Sequence, residues 1–216
     1  MSQDTDFFSQ LFEITYKMRI EWFKMLNDDA KKGGIVLAGD SITHEFLIHE
    51  MMDAYGKIHN RGIGGDTSTG LLARINESIL DLKPSQVFLL IGTNDLLEMK
   101  DDISPLIDNI EKIIDITLSA SADTEFYLIS LYPVNTSDSE KIDKLSVSTR
   151  TNEQIDAVNV SLKQLALEKG VHYLDFNRLL KDESGNFRLE YTRDGLHPSP
   201  TGHKVMLHEL QKYFKI

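Results

Sequence analysis

Four apolar residues, Ile35-Val36-Leu37-Ala38, run directly into Gly39-Asp40-Ser41. Two of the four are β-branched, and a helical pattern from Ile42 to Met52 follows, so the stretch predicts a buried strand turning sharply into a helix. Open parallel α/β sheets carry their chemistry at the carboxyl ends of strands, which is where Ser41 falls. Its hydroxyl would sit at a helix N-terminus, near backbone N–H groups able to stabilise an oxyanion. Taken alone, the same residues also describe a helix capped by Asp40 or Ser41. The rest of the chain decides between the two.

Residues 6 to 30 precede this strand and have a helical pattern. Phe7, Phe8, Leu11, Phe12, Ile14, Met18, Trp22, Met25 and Leu26 form a broad apolar stripe at three- and four-residue spacings, which predicts core packing. Gly33-Gly34 ends the helix before the first strand. Further on, Lys57 to Asn60 reads as a short strand, followed by the glycine-rich turn Arg61 to Ser68 and a helix over about 68–81. The strand Gln86 to Ile91 leads into Gly92-Thr93-Asn94-Asp95, and Ser104-Pro105 predicts a helix start with Ser as N-cap and Pro at N1. Glu125 to Leu131 is a fourth strand. Residues 135–149 are polar, which predicts a long loop, either a mobile partial lid bordering the site or a solvated surface connection. A helix over about 150–169 stops at Gly170, and Val171 to Leu174 is a fifth strand. Asp194-Gly195-Leu196-His197-Pro198 then precedes a last helix, from about Thr201 to Phe214.

Strands alternating with helices predict an α/β fold: a three-layer α/β/α sandwich on a five-stranded parallel sheet of flavodoxin-like order 2-1-3-4-5. Residues 1–216 read as one domain, with 1–32 as a helical extension packed on it. The formal charge of −11 argues against nucleic acid or an anionic membrane surface as a main partner. The absence of cysteine excludes disulfides, a cysteine nucleophile and thiolate metal sites. The acidic start Met1-Ser2-Gln3-Asp4 and the lack of a long apolar run favour a cytoplasmic protein with no membrane span.

The placement of the polar motifs is more informative than any one of them. Ser41 follows strand one, Gly65 follows strand two, Asn94 follows strand three, and Asp194 and His197 lie beyond strand five; in a parallel sheet these converge on one edge. Acyl transfer needs a nucleophile, a base, a group orienting the base, and donors for the oxyanion, and each has a candidate there.

At this point the sequence resembles the SGNH hydrolases, also called GDSL esterases and lipases. Gly39-Asp40-Ser41 matches the nucleophile block, Asn60-Arg61-Gly62-Ile63-Gly64-Gly65-Asp66 the second, Gly92-Thr93-Asn94-Asp95 the third, and Asp194-Gly195-Leu196-His197-Pro198 the last. The Gly-Ile-Gly-Gly-Asp form of the second block is similar to that of the platelet-activating-factor acetylhydrolase branch. The resemblance implies Ser41 as nucleophile, His197 as base and Asp194 as its orienting carboxylate. It implies an oxyanion hole built from the Ser41 and Gly65 N–H groups and the Asn94 amide. It further implies a small-molecule ester substrate, short-chain or acetyl, cleaved without cofactor or metal; carbohydrate O-deacetylation and thioester cleavage remain open. The pattern neither requires nor excludes a homo-oligomer.

Other readings are weaker. His44 and His49 are five apart, on different helix faces, and do not make the zinc motif His-Glu-x-x-His. Thr67 stands where a dinucleotide fingerprint after Gly62 needs its third glycine. Asp40 and Asp95 could suggest a non-catalytic, receiver-like signalling domain, but the lysine such a module needs after strand five is missing. Asp40, Asp66 and Asp95 are therefore read as supports for their turns.

Overall fold

The computed structural model describes residues 2–52, 56–99 and 102–215. Helix α1 (Ser2–Asp29) leads into β1 (Ile35–Gly39), followed by the short helices α2 (Ser41–His44) and α3 (Ile48–Met51). After β2 (Ile58–Gly62) come α4 (Ser68–Ala73) and α5 (Ile75–Ser78), then β3 (Gln86–Leu90) and α6 (Ser104–Ala120). The chain continues through β4 (Glu125–Ile129), α7 (Lys144–Val147), α8 (Asn152–Lys169), β5 (His172–Leu174), α9 (Phe176–Leu180) and α10 (Pro200–Leu210).

The five strands form one all-parallel sheet in the order β2-β1-β3-β4-β5, with helices around it. Every residue of β1 and β3 is buried, as expected of central strands with long apolar runs. Their register sets Gly39 level with Gly62 and Leu90, and β4 and β5 follow in step. The segments leaving β1, β2 and β3 therefore emerge at one edge of the sheet.

Three local expectations change. The helix after Ser41 is two short pieces, because the Asn60 side chain donates to the carbonyls of Thr43 (2.7 Å), Phe46 (3.3 Å) and His44 (3.4 Å). Those acceptors are taken from β2, so the helix has no reason to continue. The helix over 68–81 likewise breaks at Arg74. Helix α6 has Ile103 as N-cap instead of Ser104, and the Asp102 carboxylate accepts the Ser104 N–H at 2.9 Å.

Helix α1 also turns a different face inward. Leu11, Phe12, Ile14, Met18, Trp22, Met25 and Leu26 of the expected core stripe are exposed, whereas Phe23 and Asn27 are buried; the side chain of Phe8 lies outside the described residues. The inward face is chosen by hydrogen bonds. Asn27 donates to the Glu77 carbonyl (2.7 Å) and accepts from Arg61 (2.8 Å), while the Tyr16 hydroxyl donates to Asp66 (3.1 Å).

Candidate active site

Gly39 lets α2 close directly on the sheet: a Cβ there would lie 2.1 Å from the Leu90 carbonyl oxygen and 2.3 Å from Thr43 Oγ1. The turn that follows is fixed by Asp40, whose carboxylate accepts the Ile42 N–H at 2.9 Å. Burial raises the Asp40 pKa to about 7, against the Ile42 hydrogen bond. Ser41 is thus delivered at the first position of α2, where the backbone N–H groups have no intrahelical acceptor.

His197 meets it from the other end of the chain. Its Nε2 lies 3.0 Å from Ser41 Oγ, and its Nδ1 lies 2.7 Å from Asp194 Oδ2. The Asp194 carboxylate also accepts the N–H groups of Leu196 (2.9 Å) and His197 (2.7 Å), closing a tight turn around both residues. Burial acts to raise the Asp194 pKa, but hydrogen bonds from the side chain and backbone of His197 outweigh it and hold the group well below the usual carboxylate range. An ionised Asp194 keeps the proton on Nδ1 and leaves Nε2 free to accept from the serine hydroxyl. The His197 and Asp194 side chains are only 13% and 15% exposed, so the pair is sheltered yet reachable.

Gly65 and Asn94 complete the arrangement. Gly65 adopts a φ of +75° in a turn closed by Asp66 N–H donating to the Ile63 carbonyl at 3.3 Å, and a side chain there would be strained. A Cβ on the neighbouring Gly64 would lie 4.0 Å from Ser41 Cβ, so the turn runs beside the serine. Asn94 donates from Nδ2 to the Asp66 carbonyl at 2.9 Å, which ties it to the Gly65 turn. All five residues singled out in the sequence therefore gather at one edge of the sheet. The supporting aspartates are internal. Asp66 forms a buried ion pair with Arg74 at 2.7 Å, and Asp95 accepts the Ser68 N–H and hydroxyl. Asp40 and Asp95, both buried, are not placed like the exposed phosphoacceptor of a receiver domain.

Arg150 is the residue sequence reasoning missed. It is 3% exposed and two of its three nitrogens donate to the Asn94 segment: Nη2 to Asn94 Oδ1 at 2.9 Å and Nε to the Thr93 carbonyl at 2.7 Å. With Oδ1 occupied by a guanidinium, the Asn94 amide orientation is fixed, and one of its two N–H groups goes to the Asp66 carbonyl. Nothing near Arg150 in the sequence signals this, since it follows a polar stretch with no motif. That stretch is also better anchored than its composition predicts. Ile142 and Val147 are buried, Asn135 N–H donates to the Gly195 carbonyl (2.8 Å) and Asp143 N–H to the Asp194 carbonyl (2.9 Å). Residues 135–149 are therefore tied to the Asp194–His197 turn by hydrogen bonds and by packing of Ile142 and Val147 against Gly195.

Of the remaining histidines, His49 and His208 are exposed, as is His44, whose Nδ1 accepts the Gly64 N–H at 3.2 Å. His203 is buried in α10, stacked on Phe46 at 4.9 Å between centroids.

This geometry can be set beside known proteins. The profile of the GDSL-like Lipase/Acylhydrolase family matches residues 37–205. The chain belongs to that family. Its folded shape is similar throughout to a candidate platelet activating factor from Streptococcus pneumonia, at 27% identity and a TM-score of 0.92, covering 100% of both chains. In sequence it is 26% identical over 182 residues to the N-acylneuraminate cytidylyltransferase of Escherichia coli, covering 84% of this chain and 40% of that protein. It is 29% identical over 161 residues to the isoamyl acetate-hydrolyzing esterase of Saccharomyces cerevisiae, covering 72% of this chain and 67% of that one. The chain thus spans less than half of the first of these relatives and about two thirds of the second. None of the helices among the described residues is long and apolar enough to cross a membrane.

Proposed function

We propose that this GDSL-family chain is a serine esterase that cleaves small acyl esters, acetyl esters first, through an acyl-enzyme on Ser41. The observation that carries the reading is the continuous hydrogen-bonded line from Ser41 Oγ to His197 Nε2 (3.0 Å) and from His197 Nδ1 to Asp194 (2.7 Å). In this scheme His197 takes the hydroxyl proton as Ser41 attacks the acyl carbon. The oxygen of the tetrahedral intermediate meets the N–H groups of Ser41 and Gly65 and the Asn94 amide. Collapse expels the alkoxide, which His197 protonates, and a water deprotonated by the same imidazole releases the carboxylate. Asp194 stays ionised throughout. Each role is filled by a protein group, so the scheme needs no metal or cofactor. The acetyl preference rests on likeness to the yeast esterase, whose name specifies isoamyl acetate. In this reading residues 1–216 act as one domain, with 1–32 as a helical extension.

The test is a series of p-nitrophenyl esters from acetyl to decanoyl, together with acetylated sugars. Turnover should be fastest for the shortest acyl groups and should disappear in Ser41→Ala while the circular dichroism spectrum is unchanged. Near-wild-type turnover in Ser41→Ala would refute the mechanism; a preference for decanoyl would refute the substrate assignment.

A further inference from the structure

A groove of about 800 Å³ runs between α1 and the α2–α3 segment, within the size range of small-molecule sites. Its walls include Arg19, Trp22 and Leu26 from α1 and Leu47 and Ile48 from the facing segment, with Arg61 in its floor. Neither Ser41 nor His197 lines it. Arginines gather around Phe23 in its wall, with Arg74 just behind the lining. Three guanidinium groups surround the Phe23 ring: Arg61 at 4.8 Å, Arg19 at 5.1 Å and Arg74 at 5.9 Å.

Only Arg74 is matched by a carboxylate, Asp66. Arg61 is 5% exposed and hydrogen-bonded to the neutral groups Asn27 Oδ1 and the Asn60 carbonyl, and its buried Nε has no partner. Arg19 is half-buried, its Nε is likewise buried without a partner, and it forms no ion pair among the described residues. Burial and the neighbouring cations Arg19 and Arg74 lower the Arg61 pKa to about 10. Two uncompensated cations so close together carry a desolvation and repulsion cost, which an anion bound at the more accessible Arg19 would lower. The acidic residues at the groove do not do so: Glu45 pairs with Arg193 at 3.0 Å, and Asp29 and Glu50 are exposed.

We infer that the groove binds a medium-chain monocarboxylate, its head on Arg19 and its alkyl chain along Trp22, Leu26, Leu47 and Ile48. A single charge is favoured over a phosphate dianion, because Arg61 is 5% exposed and already held by Asn27 and Asn60, whereas half-buried Arg19 has, among the described residues, no hydrogen bond that would keep its guanidinium from a ligand. From Arg19 to Leu26 the helix rises about 10 Å, at roughly 1.5 Å per residue, which matches an alkyl chain of medium length. The inference stands apart from the ester chemistry, since it concerns binding at a groove that the nucleophile does not line.

Trp22 is the single tryptophan of the chain and lies in the groove wall, so its fluorescence reports binding directly. Sodium decanoate, titrated below its micelle-forming concentration, should give a saturable change, equal in wild type and Ser41→Ala. Arg19→Gln should weaken it by at least about tenfold, the scale of one charge-assisted hydrogen bond, and decanol should bind at least as weakly as that variant binds decanoate. Leu47→Asp alters an exposed residue and should weaken decanoate binding with the fold unchanged, which keeps the test decisive if Arg19→Gln fails to fold. No saturable change would overturn the inference. So would equal binding of decanol and decanoate, or tighter binding of decyl phosphate than of decanoate.

Discussion

Arg150→Met removes the guanidinium that fixes Asn94 while keeping a side chain of similar length. Asn94 is held by two bonds, one from Arg150 to Oδ1 (2.9 Å) and one from Nδ2 to the Asp66 carbonyl (2.9 Å). Losing the first forfeits one hydrogen bond to a charged partner, worth about 1.5–3 kcal/mol. If that energy is what holds the amide toward the developing oxyanion, kcat should fall by roughly 10- to 150-fold, at about 1.4 kcal/mol per tenfold. The ceiling is the whole contribution of one oxyanion donor, about 10²–10³ in kcat. KM should change little, because the interaction is made in the transition state. The decisive comparison is a double-mutant cycle. Asn94→Ala alone should sit near the ceiling, and adding Arg150→Met to it should cost no more than about twofold. Melting curves must show the variants folded at the assay temperature, since Arg150 also donates to the Ser146 and Val147 carbonyls. A full Arg150→Met effect repeated in the Asn94→Ala background would refute the reasoning, because Arg150 would then be acting by another route.

Two further outcomes follow from the same geometry. Burial lowers the His203 pKa from the usual 6.5 to about 4, so the unfolded chain binds the extra proton first as pH falls. Stability should therefore drop by up to about 3 kcal/mol as pH falls from about 6.5 to about 4. Asp40, raised to about 7 by burial, contributes with opposite sign across the same window. The readout is thus the difference in denaturant midpoint between wild type and His203→Phe, which should shift in the variant's favour on acidification; a constant difference would count against a buried neutral His203. Replacing residues 137–147 by a Gly/Ser linker removes the Asp143 N–H that holds the Asp194 carbonyl and the buried Ile142 side chain. It should lower kcat/KM by a similar factor for every ester in the series, whereas loss confined to bulky esters would restore a lid role for the loop.

Much of the architecture was legible because one effect dominates it. The central strands are continuous apolar runs, and a parallel sheet buried on both faces needs just that. Once Ile35 to Ala38 and Gln86 to Leu90 are placed as neighbours, Gly39-Asp40-Ser41 and Gly92-Thr93-Asn94-Asp95 must leave the same edge. Asp194 and His197 were legible as a pair because three residues of tight turn suffice to deliver both. What escaped sequence reading depends on long-range polar contacts. Asn60 stops the helix after Ser41 by capturing its carbonyls from a neighbouring strand. Helix α1 could bury either of two stripes, and hydrogen bonds to Asp66, Arg61 and Glu77 select the less hydrophobic one. Arg150 lies 56 residues beyond Asn94, and no local pattern connects them. The loop at 135–149 looked unanchored because its ties are scattered and follow no period: the backbone N–H groups of Asn135 and Asp143, the side chains of Asn135 and Lys141, and the buried Ile142 and Val147.

Covalent labelling tests Ser41 as the nucleophile without assuming a substrate. The chain should be incubated with an alkyl fluorophosphonate, digested, and mapped by mass spectrometry while ester turnover is followed in parallel. A single adduct is expected, on Ser41, with activity lost in proportion to labelling and no adduct in Ser41→Ala. Labelling of another serine, or turnover that persists when Ser41 is fully modified, would contradict it.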